Sequence, residues 1–224
     1  MFNFLIILSM GAGFLIQMML KNKMNKYAQE PNSLGLTGKQ VAEQMLKDNG
    51  IYDVQVISTA GQLTDHYNPT DKTVNLSELV YDTNSITAAA VSAHECGHAV
   101  QHATAYSMLG LRSKLVPILN VSNRIMPFVI MAGFFLLAKG IVLPLMIGVA
   151  LYGLTTLFAL ITLPVEFDAS NRGLAWLESK GLQGENYDKA KDGLKWAAMT
   201  YVVNAVSSVL NLLYYISILN NRRN

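Results

Sequence analysis

Charged residues are scarce in this chain. They make up 14% of its 224 residues, whereas 51% are hydrophobic, and the mean hydropathy is +0.28. Soluble domains carry about 25% charged residues. The composition therefore argues against an ordinary soluble protein and indicates a membrane protein with a modest polar part.

Cysteine is nearly absent, and neither sign of charge dominates. Cys96 is the single cysteine, which excludes an internal disulfide framework. The formal net charge is +2, which gives no reason to expect nucleic-acid binding. The sequence also shows no internal repeat and no low-complexity stretch.

Histidine is rare too, yet two of the four histidines lie in one short motif, H-E-C-G-H. The flanking residues predict a helix from Ser85, a suitable N-cap, to about Ala103. Residues four apart share a helix face, so the imidazoles of His94 and His98 can converge on one metal ion. Glu95 beside them can act as general base toward a water activated by the metal. This spacing predicts a zinc-dependent hydrolase, and it is most typical of a peptidase.

The alternative for this motif is a helix with two incidental surface histidines. The helix is otherwise apolar, and unpaired polar groups buried among apolar residues are costly, so a bound metal explains the pattern better. Cys96 occupies a variable position of the motif and projects away from the face of His94 and His98. We therefore expect Cys96 to pack as a small residue rather than to bind metal.

The first apolar run predicts a membrane anchor. Residues 2–20 carry no charge, are long enough to span a bilayer and are followed by three lysines up to Lys26. A signal peptide would carry positive charge before the run instead, so we expect a retained anchor helix. The positive-inside rule then places the chain from residue 21 onward in the cytoplasm.

A second apolar region, residues 125–164, is about twice as long as one membrane span. It contains a single charge at Lys139, followed by Gly140. We therefore predict a helical hairpin with arms of roughly 125–138 and 141–164.

A third apolar region, residues 199–219, could form a fourth membrane helix. It has a polar stripe at helical spacing that should face protein rather than lipid, made of Asn204, Ser208, Asn211 and Tyr215. A full crossing would place Arg222 and Arg223 outside, against the positive-inside rule. Either this segment does not cross fully, or the first helix sets the orientation.

The polar region between the anchor and the motif predicts a helix and a few strands. Thr37 and Gln40 form a capping-box pattern for a helix that Gly50 ends. Residues 51–58 alternate as a strand does, and residues 62–77 read as two short strands around a turn. Such a hairpin could offer an edge strand to an extended peptide substrate, or it could be purely structural.

A catalytic zinc ion needs a third protein ligand and an open position for water. The candidates are His66, His102, Glu166 and Asp168. Glu166 is the best candidate, because it directly follows the hairpin, which returns the chain to the side of His94 and His98. We expect Pro164 to start a new helix with Glu166 in its first turn, and Asp168 is the next candidate. His102 would lie one turn beyond His98, too nearly in line with the other histidines to close around the same ion.

The chain resembles the YugP-type neutral zinc metallopeptidases, which are small bacterial membrane proteins. The resemblance covers nearly the whole chain and rests on the apolar runs and on three motifs: D-H-Y-N-P-x-x-K-T-V-N-L-S, A-x-S-A-H-E-C-G-H-A-V-Q-H and L-P-V-E-F-D-A-S. The chain is more distantly similar to the HtpX and CAAX-processing membrane peptidases, which carry H-E-x-x-H, a membrane hairpin and then E-x-x-x-D. In this match Glu166 fills the position of the third ligand. Ser170 stands where the wider group has Asp, which makes Asp168 the candidate for the supporting carboxylate.

Together these features predict a mainly α membrane protein with a zincin-like H-E-x-x-H core and a small β-hairpin or sheet. The predicted organisation is an N-terminal anchor (1–20), the first part of a metallopeptidase domain (21–124), a transmembrane helical hairpin (125–164), the second part of the domain (165–198) and a C-terminal apolar helix (199–224). The zinc ligands would be His94, His98 and Glu166.

The predicted function is that of a gluzincin-like, membrane-embedded zinc metalloendopeptidase, with Glu95 as general base. One alternative is a non-catalytic membrane scaffold with a structural zinc site, and another is a metal-dependent hydrolase of a non-peptide amide. We expect Zn²⁺ as cofactor and a membrane-associated protein or peptide as substrate. We also expect contact with membrane lipids and no nucleic-acid partner. The resemblance implies a multi-pass protein of the bacterial cell membrane, with its catalytic site on the cytoplasmic side.

Overall fold

The computed structural model describes residues 2–221, with side chains from Phe4 to Asn220. Arg222 and Arg223, which bear on the orientation of the last apolar segment, lie outside the described residues. The described chain is mainly helical with a small sheet, as predicted. Its elements, in order, are α1 (Phe2–Tyr27), α2 (Gly38–Asp48), β1 (Gln55–Thr59), β2 (His66–Asn68), β3 (Thr73–Ser77), α3 (Glu78–Tyr81), α4 (Ile86–Ala103), α5 (Ser107–Leu137), α6 (Leu143–Ser179) and α7 (Gly184–Asn221).

Local capping signals fix the starts of α2 and α4. Thr37 accepts a hydrogen bond from the Gln40 backbone N–H at 3.3 Å, and the Gln40 side chain accepts from the Thr37 N–H at 2.9 Å. Gly50 follows α2 with φ +71°, a conformation that glycine adopts without strain. Ser85 caps α4 by accepting from the Ala88 N–H at 3.1 Å. These three predictions from the sequence are confirmed.

The sheet has three strands in the order β1-β3-β2. β2 and β3 form the predicted antiparallel hairpin, and β1 pairs with β3 in parallel. β3 is central, and its side chains Val74 and Leu76 are fully buried. β2 is therefore an edge strand, with one side free of sheet neighbours.

The apolar regions of the second half of the chain are parts of longer helices. α5 begins at Ser107, well before the predicted arm at 125, and α6 continues through residue 164 to Ser179. The prediction that Pro164 starts a new helix is wrong, because Pro164 lies inside α6 and Glu166 follows in the helix interior. Hydropathy marks where a helix is apolar, not where it begins, since charged residues are also good helix formers. The predicted break after α5 is confirmed, since Gly140 lies in the turn before α6.

The chain forms two compact units. One contains Ile16–Leu109 and Pro164–Met199, and therefore the sheet, α2 to α4 and the second half of α6. Its core consists mainly of buried aliphatic side chains, among them Val41, Met45, Leu76, Ile86 and Leu177. All of the predicted site residues lie in this unit.

The other unit contains Gly110–Leu163 and the two ends of the chain. α1, α5, α6 and α7 each include a stretch long and apolar enough to cross a membrane, and only 6 to 33% of these stretches is buried. Within this unit the polar stripe of α7 is only partly covered. Ser208 is buried, and its carbonyl accepts a hydrogen bond from Thr156 Oγ1 at 3.3 Å, whereas Asn204 is exposed.

Candidate metal centre

The three predicted ligands come together. His94 and His98 occupy successive turns of α4 with ring centroids 4.9 Å apart. Glu166 Oε2 lies 3.4 Å from His94 Nε2 and 3.5 Å from His98 Nε2. One ligand atom from each residue lies within 4.8 Å of the others. Two imidazoles and one carboxylate can thus bind one cation together.

Small residues allow α4 and α6 to cross closely at this point. A Cβ on Gly97 would lie 2.3 Å from the Ala169 carbonyl oxygen, and a Cβ on Gly173 would lie 2.8 Å from the backbone of Ala93. Any larger side chain at either glycine would push the helices apart. The glycine of the H-E-C-G-H motif therefore brings the two ligand-bearing helices within reach of a single ion.

The surroundings of the three side chains suit a metal ion. Their side chains are only 14%, 9% and 3% exposed for His94, His98 and Glu166. Burial by itself would lower the pKa of His98, but the hydrogen bond to Glu166 and the charge of Glu95 outweigh it and raise that pKa above its ordinary value. The centre thus favours positive charge on or next to the imidazoles. Two imidazoles and one carboxylate are the protein ligands of one class of catalytic zinc site, so the residues present fit zinc.

Ser170 orients the ring of His94. Ser170 Oγ lies 3.0 Å from His94 Nδ1, so a hydroxyl occupies the position that the wider group fills with Asp. Asp168, the candidate for this supporting role from the sequence, does not make this contact. It accepts hydrogen bonds from Gln101 Nε2 at 2.8 Å and Arg172 Nε at 2.6 Å instead. A histidine that ligates metal commonly has its other ring nitrogen held by a hydrogen bond, and Ser170 supplies that bond to His94.

Glu95 is buried beside the centre and contacts the edge of the sheet. Its Oε2 accepts a hydrogen bond from the Tyr67 backbone N–H at 2.9 Å. Because this N–H points away from β3, the free edge of β2 faces Glu95. The sequence placed a strand here but gave no sign of this contact.

The remaining candidates lie apart from the cluster. His66 Nδ1 contacts the Thr64 carbonyl at 2.7 Å, and His102 Nδ1 contacts Tyr67 Oη at 2.8 Å. Within residues 4–220, the group of His94, His98 and Glu166 is the one set of three or more such side chains placed to hold a metal. Cys96 is fully buried, and burial raises the pKa of its thiol far above the usual range, which agrees with a packing role.

Comparison with known proteins agrees with this geometry. Residues 2–220 match the model of a protein family described as "Putative neutral zinc metallopeptidase". The chain belongs to this family. It is also 39% identical over 224 residues to the "Putative membrane protease YugP" of Bacillus subtilis (strain 168), a match that covers 100% of this chain and 98% of that protein. No solved structure matches the chain significantly.

The two names agree with the metal site and with the apolar helices of this structure. The family description specifies zinc, and the described residues contain a cluster suited to that ion. The relative is described as a membrane protein, and four helices here are long and apolar enough to cross a membrane.

Proposed function

We propose that the chain is a membrane-embedded, zinc-dependent metalloendopeptidase with a zincin-like core of the gluzincin kind. The observation that carries this proposal is the convergence of His94, His98 and Glu166 with a buried Glu95 alongside. Structural zinc sites are almost always closed by four protein ligands. A site with three supports a catalytic role over a structural one.

The chemistry divides between the metal and the protein. When bound by His94, His98 and Glu166, zinc supplies an activated water and polarises the substrate carbonyl. Glu95 accepts the proton of the attacking water and transfers it to the leaving amine as the C–N bond breaks. The Tyr67 N–H holds the Glu95 carboxylate in one orientation, and Ser170 holds the ring of His94.

The edge of β2 supports a peptide as substrate. The Tyr67 N–H points to Glu95 and away from β3, and in an antiparallel strand the carbonyl of the same residue points to the same side. The Tyr67 carbonyl can therefore accept a hydrogen bond from an extended peptide lying along β2. A lipid with a single amide has no extended backbone to lie along the strand.

The apolar helices support a location in the bacterial cell membrane. Most residues in the four apolar stretches are not buried in the protein, so lipid contact would cover them. The lysines that follow the first stretch favour a cytoplasmic side for the polar unit. Membrane-associated proteins or peptides are then the substrates that such a site would meet, and nucleic acid is not an expected partner.

Removing the metal tests this proposal. The full chain, purified in detergent, should cleave an unfolded protein substrate, with new termini detected by mass spectrometry. A zinc chelator should abolish cleavage, and added zinc should restore it while magnesium should not. Cleavage that survives complete zinc removal would contradict the proposal. Zinc-dependent release of an acyl chain from a lipid amide, with peptides left intact, would favour the alternative hydrolase.

A further inference from the structure

Gln101 is a fully buried polar residue that the proposed chemistry does not use. It lies on α4 one turn after His98, and its side chain is 0% exposed. Its Oε1 lies 3.0 Å from His98 Nδ1. Its Nε2 donates to the Val165 carbonyl and to Asp168 Oδ2, both at 2.8 Å. One amide therefore links a predicted ligand on α4 with the backbone of α6 directly before Glu166.

The partners of this amide determine its orientation. The Val165 carbonyl can only accept hydrogen bonds, and Asp168 Oδ2 already accepts from Arg172 Nε. The donor end of the Gln101 amide must therefore face α6, and its oxygen must face His98.

The orientation of the amide sets the tautomer of His98. An amide oxygen only accepts hydrogen bonds, so Nδ1 of His98 carries the proton in this contact. In the neutral ring the lone pair is then on Nε2, the atom that lies 3.5 Å from Glu166 Oε2.

We propose that Gln101 is a positioning residue of the metal centre. It fixes the tautomer and ring orientation of His98 and holds this ring in register with Glu166 through the Val165 carbonyl. The inference rests on the zinc site of the proposed function, but it concerns metal binding and not the reaction. Loss of such a partner behind a ligating histidine typically lowers metal affinity by about 10- to 100-fold.

Zinc affinity of the full chain, measured by chelator competition, tests the proposal. Gln101→Met keeps the length of the side chain but removes both ends of the amide, and should weaken zinc binding about 10- to 100-fold. Gln44→Met makes the same exchange at a partly buried position of α2 and should leave affinity unchanged. Thermal unfolding of the zinc-free proteins identifies any variant that fails to fold.

A double variant and a spectroscopic readout separate positioning from filling of space. Gln101→Glu with Asp168→Asn keeps an acceptor for His98 Nδ1 and one amide between the two positions, but it gives up the hydrogen bond to the Val165 carbonyl. It should therefore recover part of the zinc affinity that Gln101→Met loses. The sequence has four histidines, so their ¹⁵N shifts can be assigned. In the zinc-bound protein the Nδ1 proton of His98 should be protected from exchange with water by its bond to Gln101 Oε1, and Gln101→Met should speed its exchange.

The outcomes distinguish this inference from the proposed function. Unchanged zinc affinity and unchanged exchange of the His98 Nδ1 proton in folded Gln101→Met would overturn the positioning role while leaving the zinc site intact. A wild-type chain that binds no zinc would overturn both. Weaker binding in Gln101→Met with partial recovery in the double variant is the result we expect, whether or not peptides are cleaved.

Discussion

Glu95→Gln is expected to abolish peptide hydrolysis while zinc remains bound. An amide cannot accept the proton of the attacking water, and general acid–base catalysis contributes about 10²- to 10⁴-fold. The exchange preserves the size of the side chain. The amide oxygen can still accept the Tyr67 N–H, which lies 2.9 Å from the carboxylate in this structure, so the fold should persist.

The measurement is the hydrolysis rate and the zinc content of the same preparation. Glu178→Gln, at an exposed position of α6, is the matched control and should behave like wild type. A Glu95→Gln variant that cleaves at a rate near that of wild type would exclude Glu95 as general base. Loss of zinc from this variant would instead indicate that Glu95 holds the metal.

Gly97→Ala is expected to damage the metal centre without touching any proposed ligand. The new Cβ would lie 2.3 Å from the Ala169 carbonyl oxygen, and a backbone atom on a helix cannot move aside as a flexible side chain can. α4 and α6 would have to separate, which would draw Glu166 away from the two histidines. Overpacking of this kind typically costs about 1–3 kcal/mol, and we expect both a lower unfolding temperature and weaker zinc binding.

Gly153→Ala provides the matched control for this prediction. Gly153 lies within α6, and a Cβ there would meet nothing within 4 Å, so alanine should be tolerated. Thermal unfolding and chelator competition on both variants make the comparison. If Gly97→Ala unfolds and binds zinc as wild type does, the close crossing of α4 and α6 is not what brings the ligands together.

Local signals in the sequence predicted the elements that local physics controls. The cap at Ser85, the capping box at Thr37 and the end of α2 at Gly50 involve residues a few positions apart, and the structure has all of them. The full lengths of α5, α6 and α7 were not predicted, because each helix covers both a polar and an apolar stretch of sequence without a break. The parallel pairing of β1 with β3 likewise depends on tertiary packing, which the periodicity of the sequence does not reveal.

The same distinction holds within the site. His94 and His98 follow from the helical repeat, and Glu166 follows from its position after the predicted hairpin, although Pro164 does not start a helix as expected. Gln101 was missed because its partners Val165 and Asp168 lie 64 and 67 residues away in the sequence. A signal was present, since a glutamine among the small and apolar residues of α4 needs buried partners.

The measurement that tests the metal centre most directly is the zinc content per chain of detergent-purified protein. We predict a single zinc ion per chain in wild type, its loss in Glu166→Ala and its retention in Asp168→Ala, since Asp168 contacts Gln101 and Arg172 rather than the cluster. Zinc that is absent from wild type, or that persists in Glu166→Ala, would contradict the ligand set of His94, His98 and Glu166.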